Sequence, residues 1–449
     1  MKVQLSEHFN YKKLFLFTFP SIIMMIFLSI YSIVDGYFVS NFAGKSSFAA
    51  VNLIMPVLQI LGAFGFMFGT GGSALVSKTI GENNLKKANK IFSLLIITVS
   101  ILGIIIAVSA FIFLDKIVIL LGATGQILKD AVLYGRIILI SLPFYILQST
   151  FQSFFVTAEK PQYGLYVTLA SGITNMILDA IFIIVFKWGL VGAAVATMIS
   201  EFIGGVIPII YFSRKNNSSL LHFVKPKFDI KALIKSMSNG SSEFVSNISM
   251  SIVGLLYNFQ LLKYIGENGI AAYGVLMYVS MIFVSIFIGY ITGIAPIISF
   301  NFGAKNKKEL TNIFKKSIFL ISLSSITMFI LAELTAPTLA KLYVGYDLEL
   351  LNITINAARI GSFTFIFIGM SVFGSSFFTA LNDGVTSAII AFLRTMVFQV
   401  GSILLFPTIW GVNGIWYSIC FAEILSTLIT LFYFYKHKNT FFENTKRLG

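Results

Sequence analysis

A carboxylate stands where an apolar helix should carry none. Asp35, in the stretch YSIVDGYFVSNFAG at residues 31–44, follows a run from Leu14 to Ile33 that holds no charge. A second acid, Asp179, lies in SGITNMILDAIFI at 171–183, with Asn175 four residues before it. Positions i and i+4 stack on one helical face, so Asn175 lies in line with Asp179, and Tyr31 with Asp35. Thr197 adds a hydroxyl in a third apolar stretch. An ionised Asp exposed to lipid is costly, so these groups are expected to face protein rather than lipid. Two carboxylates held close together repel while both are ionised, so such a pair can hold a proton near neutral pH. Carboxylate, amide and hydroxyl oxygens equally suit Na⁺. The bland alternative is that Asp35 and Asp179 are interfacial and solvated by lipid headgroups.

The elements that must position these groups follow from composition. The 449 residues are 57% hydrophobic and 11% charged, with a mean hydropathy of +0.89. A soluble domain of this size does not have such a composition. Apolar stretches of the roughly 20 residues that cross a bilayer recur from end to end. They are continuous rather than alternating, which excludes a β-barrel. The first run is too long for a signal peptide, and no small-residue cleavage site follows it. Twelve spans are predicted, near 14–39, 48–77, 91–114, 131–156, 163–186, 190–213, 236–262, 270–300, 317–336, 352–380, 385–408 and 412–435.

With both termini inside, the inside segments hold 23 Lys and Arg and the outside loops hold six. Arg136, Arg359 and Arg394, within spans, complete the 32. This bias sets the orientation and accounts for the net charge of +14 without nucleic acid. At 1.5 Å per residue, Asp35 then lies about 9 Å below the outer surface, and Asp179 and Thr197 about 12 Å. The polar groups therefore meet at one depth.

The sequence also matches itself at a shift of 222 residues. Gly44–Ala50 falls on Gly266–Ala272, Thr70-Gly71 on Thr292-Gly293, Trp188-Gly189 on Trp410-Gly411, Glu201 on Glu423, and Tyr211-Phe212 on Tyr433-Phe434. Six spans per half is an even number, so both halves start on the same side as parallel repeats. That is a transporter architecture. The expected fold is all-α and polytopic: twelve transmembrane helices in two parallel, pseudo-symmetric six-helix bundles. Residues 1–213 form the first bundle, 214–235 a cytoplasmic linker, and 236–449 the second.

The stretch IVDGYFVSNFAG…AAVNLIMP, the duplicated halves and SGITNMILDAIFI resemble the multidrug and toxic compound extrusion (MATE) family, in its DinF-like or MepA-like branch. The resemblance covers essentially the whole chain. It implies a cation site in the first bundle made by Asp35, Asn175, Asp179 and Thr197. It also implies a helix-1 hinge at Pro20, where proline removes a backbone hydrogen bond; the plain alternative is a static kink. The NorM-like branch places its cation site in the second bundle, using a Glu on helix 7 and an Asp on helix 10. Glu243 fits the first position, but GSFTFIFIGMSVFGSSFFTA at 361–380 has no acid, so that site is not expected.

Other polar groups carry open readings. Glu201 and Glu423 sit about 18 Å from the outer ends of their spans. Glu423 and Arg394 are expected to pair, since buried charges need partners. Glu201, one turn from Thr197, either lines the cavity or is structural. Glu243 either attracts a cationic substrate or pairs with a linker lysine. Gln148 and Gln152 share a face of span 4 and either line the cavity or bond neighbouring helices. Tyr31 either lines the cavity or packs.

Several classes fall away. Gly-Lys-Ser at 44–46 lacks the earlier glycine of a P-loop, Val39 standing there, so ATP is not the direct energy source. Gly62, Gly65 and Gly69 read as close helix packing. Cys420 is the only cysteine, and His8, His222 and His437 lie far apart in polar segments. No metal cluster, cofactor or enzymatic nucleophile–base pair is expected. The reading is a secondary exporter that antiports H⁺ or Na⁺ against apolar or cationic drugs. Its cavity is expected to be lined by Phe, Met and Tyr, which bind diverse ligands adaptably. It is expected to work as a monomer in a bacterial plasma membrane. The alternative is a flippase for lipid-linked saccharides, which should carry more cavity cations than Arg394.

Overall fold

The computed structural model describes residues 3–214 and 219–442. The predicted linker lies partly outside these, as do the ends of the two predicted bundles. Among the described residues there are fourteen α-helical segments and no strand. They are α1 Tyr11–Phe38, α2 Lys45–Gly81, α3 Leu85–Leu120, α4 Gly125–Thr157, α5 Pro161–Asp179, α6 Gly189–Ser213, α7 Ile230–Tyr264, α8 Glu267–Gly303, α9 Lys307–Val344, α10 Leu348–Ser362, α11 Thr364–Ala380, α12 Gly384–Phe392, α13 Val400–Trp410 and α14 Val412–Phe441. Single π-helical turns extend α1 (Val39–Ala43) and α5 (Ala180–Val185), and another joins α12 to α13 (Leu393–Gln399).

Eleven of the continuous helices are long and apolar enough to cross a membrane, and the pair α10–α11, bent by 46°, makes a twelfth. No proline stands at that bend, which falls inside the predicted span 352–380. Several helices also outrun their predicted spans. α7 starts at Ile230 rather than 236, because Asp229 caps it by accepting the Ala232 N–H, and Lys231 and Lys235 ride on its polar first turns. Asn10, Asn84, Asn306, Asp347 and Asp383 cap other helices in the same way.

The repeat is visible in the backbone. Gly44 and Gly266 have φ +99° and +81°, and Gly189 and Gly411 have +53° and +57°. Each pair opens the helix that follows, in a conformation that favours glycine.

We call the end where α1 begins and α14 finishes the proximal end. There the two halves close on each other through small residues. A Cβ on Gly240 of α7 would overlap the Met67 carbonyl of α2, and one on Gly71 would overlap the Ser236 carbonyl. Gly289 and Gly293 of α8 lie against Ser21, Ile22 and Thr18 of α1. At the distal end Gly36, Gly254 and Gly274 each look onto open space. Gly240→Ala is therefore expected to destabilise the closed proximal end by about 1–3 kcal/mol. Thermal unfolding in detergent checks this, with Gly254→Ala unchanged as the control.

A strap ahead of α1 ties both halves together at this end. The Leu5 N–H donates to Glu159 Oε1 (2.7 Å), between α4 and α5, and the Phe9 N–H donates to Glu309 Oε1 (2.9 Å), on α9. His8 Nδ1 lies 2.7 Å from Glu309 Oε2. Asn312 and Lys316 donate to the Phe9 carbonyl at 3.0 and 2.6 Å. Leu5 and Phe9 are fully buried.

Candidate functional site

The π turns fall where the charges are. α5 ends its regular winding at Asp179, and the next residue begins a π turn. Arg394 is the second residue of another. Such turns re-aim side chains and recur at functional sites.

In the first half, α1, α4, α5 and α6 bring the predicted polar groups together. Asp35 and Asp179 are neighbouring carboxylates, each within the electrostatic influence of the other. Asn175 donates from Nδ2 to Thr197 Oγ1 at 3.3 Å. Asp179 is 0% exposed and Asn175 1%, which argues against headgroup solvation of Asp179; Asp35 is half-buried. Among the described residues, Asp35 Oδ1, both Asp179 oxygens, Asn175 Oδ1 and Glu201 Oε2 are buried without a hydrogen-bond donor. Two carboxylates bond to each other only through a proton on one of them or a cation between them. Their orphaned oxygens, with the Asn175 amide oxygen beside them, fit either H⁺ or Na⁺.

Two tyrosines and a serine of α4 complete this pocket, and the sequence reading missed them. Tyr134, 1% exposed, has Thr197, Asp35, Asp179 and Glu201 for neighbours. Ser141 lies within reach of the Glu201 carboxylate, and Tyr145 stands beside Glu201. The signal was present: the face shared by Gln148 and Gln152, followed back by helical steps, runs through Tyr145, Ser141 and Tyr134.

The other predicted residues are placed as follows. Tyr31 lies close to Glu201 and Asp35, with its ring against Gly172 of α5. Gln148 packs on Gly204 of α6 and donates to Ser171 Oγ at 3.5 Å. Gln152 is buried one turn nearer the proximal end. Pro20 is buried inside a continuous α1, between the two residues, Thr18 and Ile22, that meet Gly293 and Gly289.

In the second half, Arg394 Nε donates to Glu423 Oε1 at 2.8 Å. Glu423 is 0% exposed and the Arg394 side chain 17%. Glu243 has Arg394 as its charged neighbour. Of the linker lysines, Lys235 donates to the Asn382 carbonyl at 2.6 Å. At the repeat position of Asp35 stands Tyr257, fully buried, its hydroxyl 2.5 Å from Ser418 Oγ. The second half thus has no counterpart of the carboxylate pair.

Comparison with known proteins agrees with this architecture. The family model described as MatE matches residues 20–181 and 244–403. The multidrug export protein MepA of Staphylococcus haemolyticus is 29% identical over 437 residues, spanning 96% of this chain and 94% of that protein. MepA of Staphylococcus aureus strain MRSA252 is 27% identical over 98% of this chain and 96% of that protein. A solved multidrug resistance MATE family transporter of the MOP superfamily, outward-facing, superposes with a TM-score of 0.91 at 22% identity, covering 98% of both chains. A MOP superfamily transporter from Pyrococcus furiosus superposes at 0.90, with 22% identity over 97% of both.

Proposed function

The chain belongs to the MATE family, and on that footing we propose that it is a secondary active multidrug exporter. It antiports H⁺ or Na⁺ against apolar or cationic drugs across a bacterial plasma membrane. It is a multi-pass transporter, not an enzyme. The similarity to multidrug export proteins of two staphylococci supports the drug class. The Lys/Arg bias supports termini on the cytoplasmic side. The proximal end, where α1 and α2 lie against α8 and α7, is then the inner end.

One observation carries the coupling: Asp35 and Asp179 face each other with oxygens that no protein donor satisfies. From outside, a proton or Na⁺ neutralises the pair. Asp35 on α1, Asp179 on α5 and Asn175–Thr197 across α5 and α6 then draw together, and the drug leaves outward. The lobes at 1–213 and 236–449, joined through 214–235, rock against each other, and the cation is released inward. Pro20 sits between the closest α1–α8 contacts, so a bend there would loosen the proximal seal. Coupling requires only that cation and drug prefer different states. A single chain holds the whole of this site, which supports action as a monomer.

The test is dye efflux from proteoliposomes under an imposed pH gradient and then a Na⁺ gradient. One gradient is expected to drive wild-type efflux, which names the ion, and Asp35→Asn is expected to lose the drive while still binding dye. Normal gradient-driven efflux by Asp35→Asn would sink the coupling assignment.

A further inference from the structure

The two halves answer the same problem differently. Glu201 on α6 and Glu423 on α14 are repeat equivalents. Glu423 carries a built-in cation, the Arg394 guanidinium at 2.8 Å. By the same 222-residue shift, Arg394 falls on Gly172. Gly172 and Glu201 lie at one crossing of α5 and α6, pinned by the neighbouring Ser171 hydroxyl, which donates to the Ser200 carbonyl at 2.8 Å. Gly172 has no side chain to offer. Where a side chain would start, the Phe27 and Tyr31 rings pass, 2.5 Å and 3.3 Å from a Cβ built there.

Among the described residues each glutamate keeps one oxygen without a donor, Glu201 Oε2 and Glu423 Oε2, but only Glu423 has a positive partner. From the elements around Glu201, the titratable groups that face it are Tyr31 and Asp35 of α1 and Tyr134 and Tyr145 of α4, with Asp179 of α5 beyond Tyr134. None is a cation. The second half has an organic cation tethered by its own chain; the first half has an acid beside two aromatic rings, and aromatic faces attract organic cations.

We propose that Glu201, beside Tyr31 and Tyr145, is a binding subsite for the cationic group of the exported molecule, an ammonium, phosphonium or amidinium centre, at the position the second half fills with Arg394. The inference rests on the drug-export reading and separates two jobs: Asp35 and Asp179 take the coupling ion, and Glu201 takes the cargo. Protons compete with cargo at Glu201, so an outside acid load both neutralises the pair and expels the drug's cation.

The experiment measures binding of tetraphenylphosphonium, a permanent cation, to the purified full-length protein across pH. Wild-type affinity is expected to fall as pH falls. Glu201→Gln is expected to bind roughly tenfold or more weakly and with a shallower pH dependence, the remainder belonging to Asp35 and Asp179. Should Glu201→Gln not fold, the wild type still reports: carbodiimide labelling of Glu201, read by mass spectrometry, is expected to be blocked by tetraphenylphosphonium. Wild-type affinity in Glu201→Gln, or labelling that ignores the probe, overturns the subsite alone. A wild type that binds no tetraphenylphosphonium overturns both the subsite and the export of cationic drugs.

Discussion

Asp179→Asn is expected to abolish gradient-driven efflux while leaving the protein folded. Asp179 is fully buried, and both its oxygens lack a donor. An amide there removes half of the shared cation site yet adds an N–H that Asp35 can accept, so the helices stay packed. Couplings between sites are typically about 1–3 kcal/mol, so the stimulation by the gradient should fall roughly 5- to 150-fold. Groups that act as a unit are not additive. The Asp35→Asn/Asp179→Asn double variant should therefore transport no worse than either single variant. Efflux rates of the four proteins at matched reconstitution check this. If the losses multiply, the two carboxylates serve separate ions.

The second large effect belongs to stability. Arg394→Leu leaves Glu423 buried at 0% exposure without its cation, and breaking such a pair costs about 3–5 kcal/mol. Replacing both partners, Arg394→Leu/Glu423→Leu, is expected to restore most of that, because apolar substitutes for a buried pair are often neutral or stabilising. Thermal unfolding of the single and double variants in detergent decides it. A single variant as stable as wild type would mean that Glu423 is protonated or finds another donor. The contrast is between an acid paired with its own chain's cation and one left open to exchange.

Much of this was legible in the sequence because the bilayer is a strict solvent. Apolar runs had to be helices, charges inside them had to face one another, and the 222-residue repeat fixed the parallel halves. The depth estimate that set Asp35, Asp179 and Thr197 at one level needed only the helical rise. What was hidden depends on rotation and backbone irregularity. Tyr134 and Tyr145 read as ordinary aromatics among 18 tyrosines until α4 was seen to turn that face toward the carboxylates. The bend at Phe363 and the π turns beside Asp179 and at Arg394 have no proline to announce them. The small-residue seal was half visible: Gly71 and Gly293 stood out in the repeat, but their partners across the interface did not.

The strap before α1 has a consequence for biosynthesis. Phe9 and its acceptor Glu309 are separated by 300 residues. At roughly 5–20 residues per second, translation makes the strap about a quarter of a minute to a minute before Glu309 exists. Glu159, the strap's other anchor, is made at an intermediate time. The seat for Phe9 cannot form until α9 of the second half is in place. Latching of the earlier segment therefore waits for α9 of the second half, long after the strap itself is made.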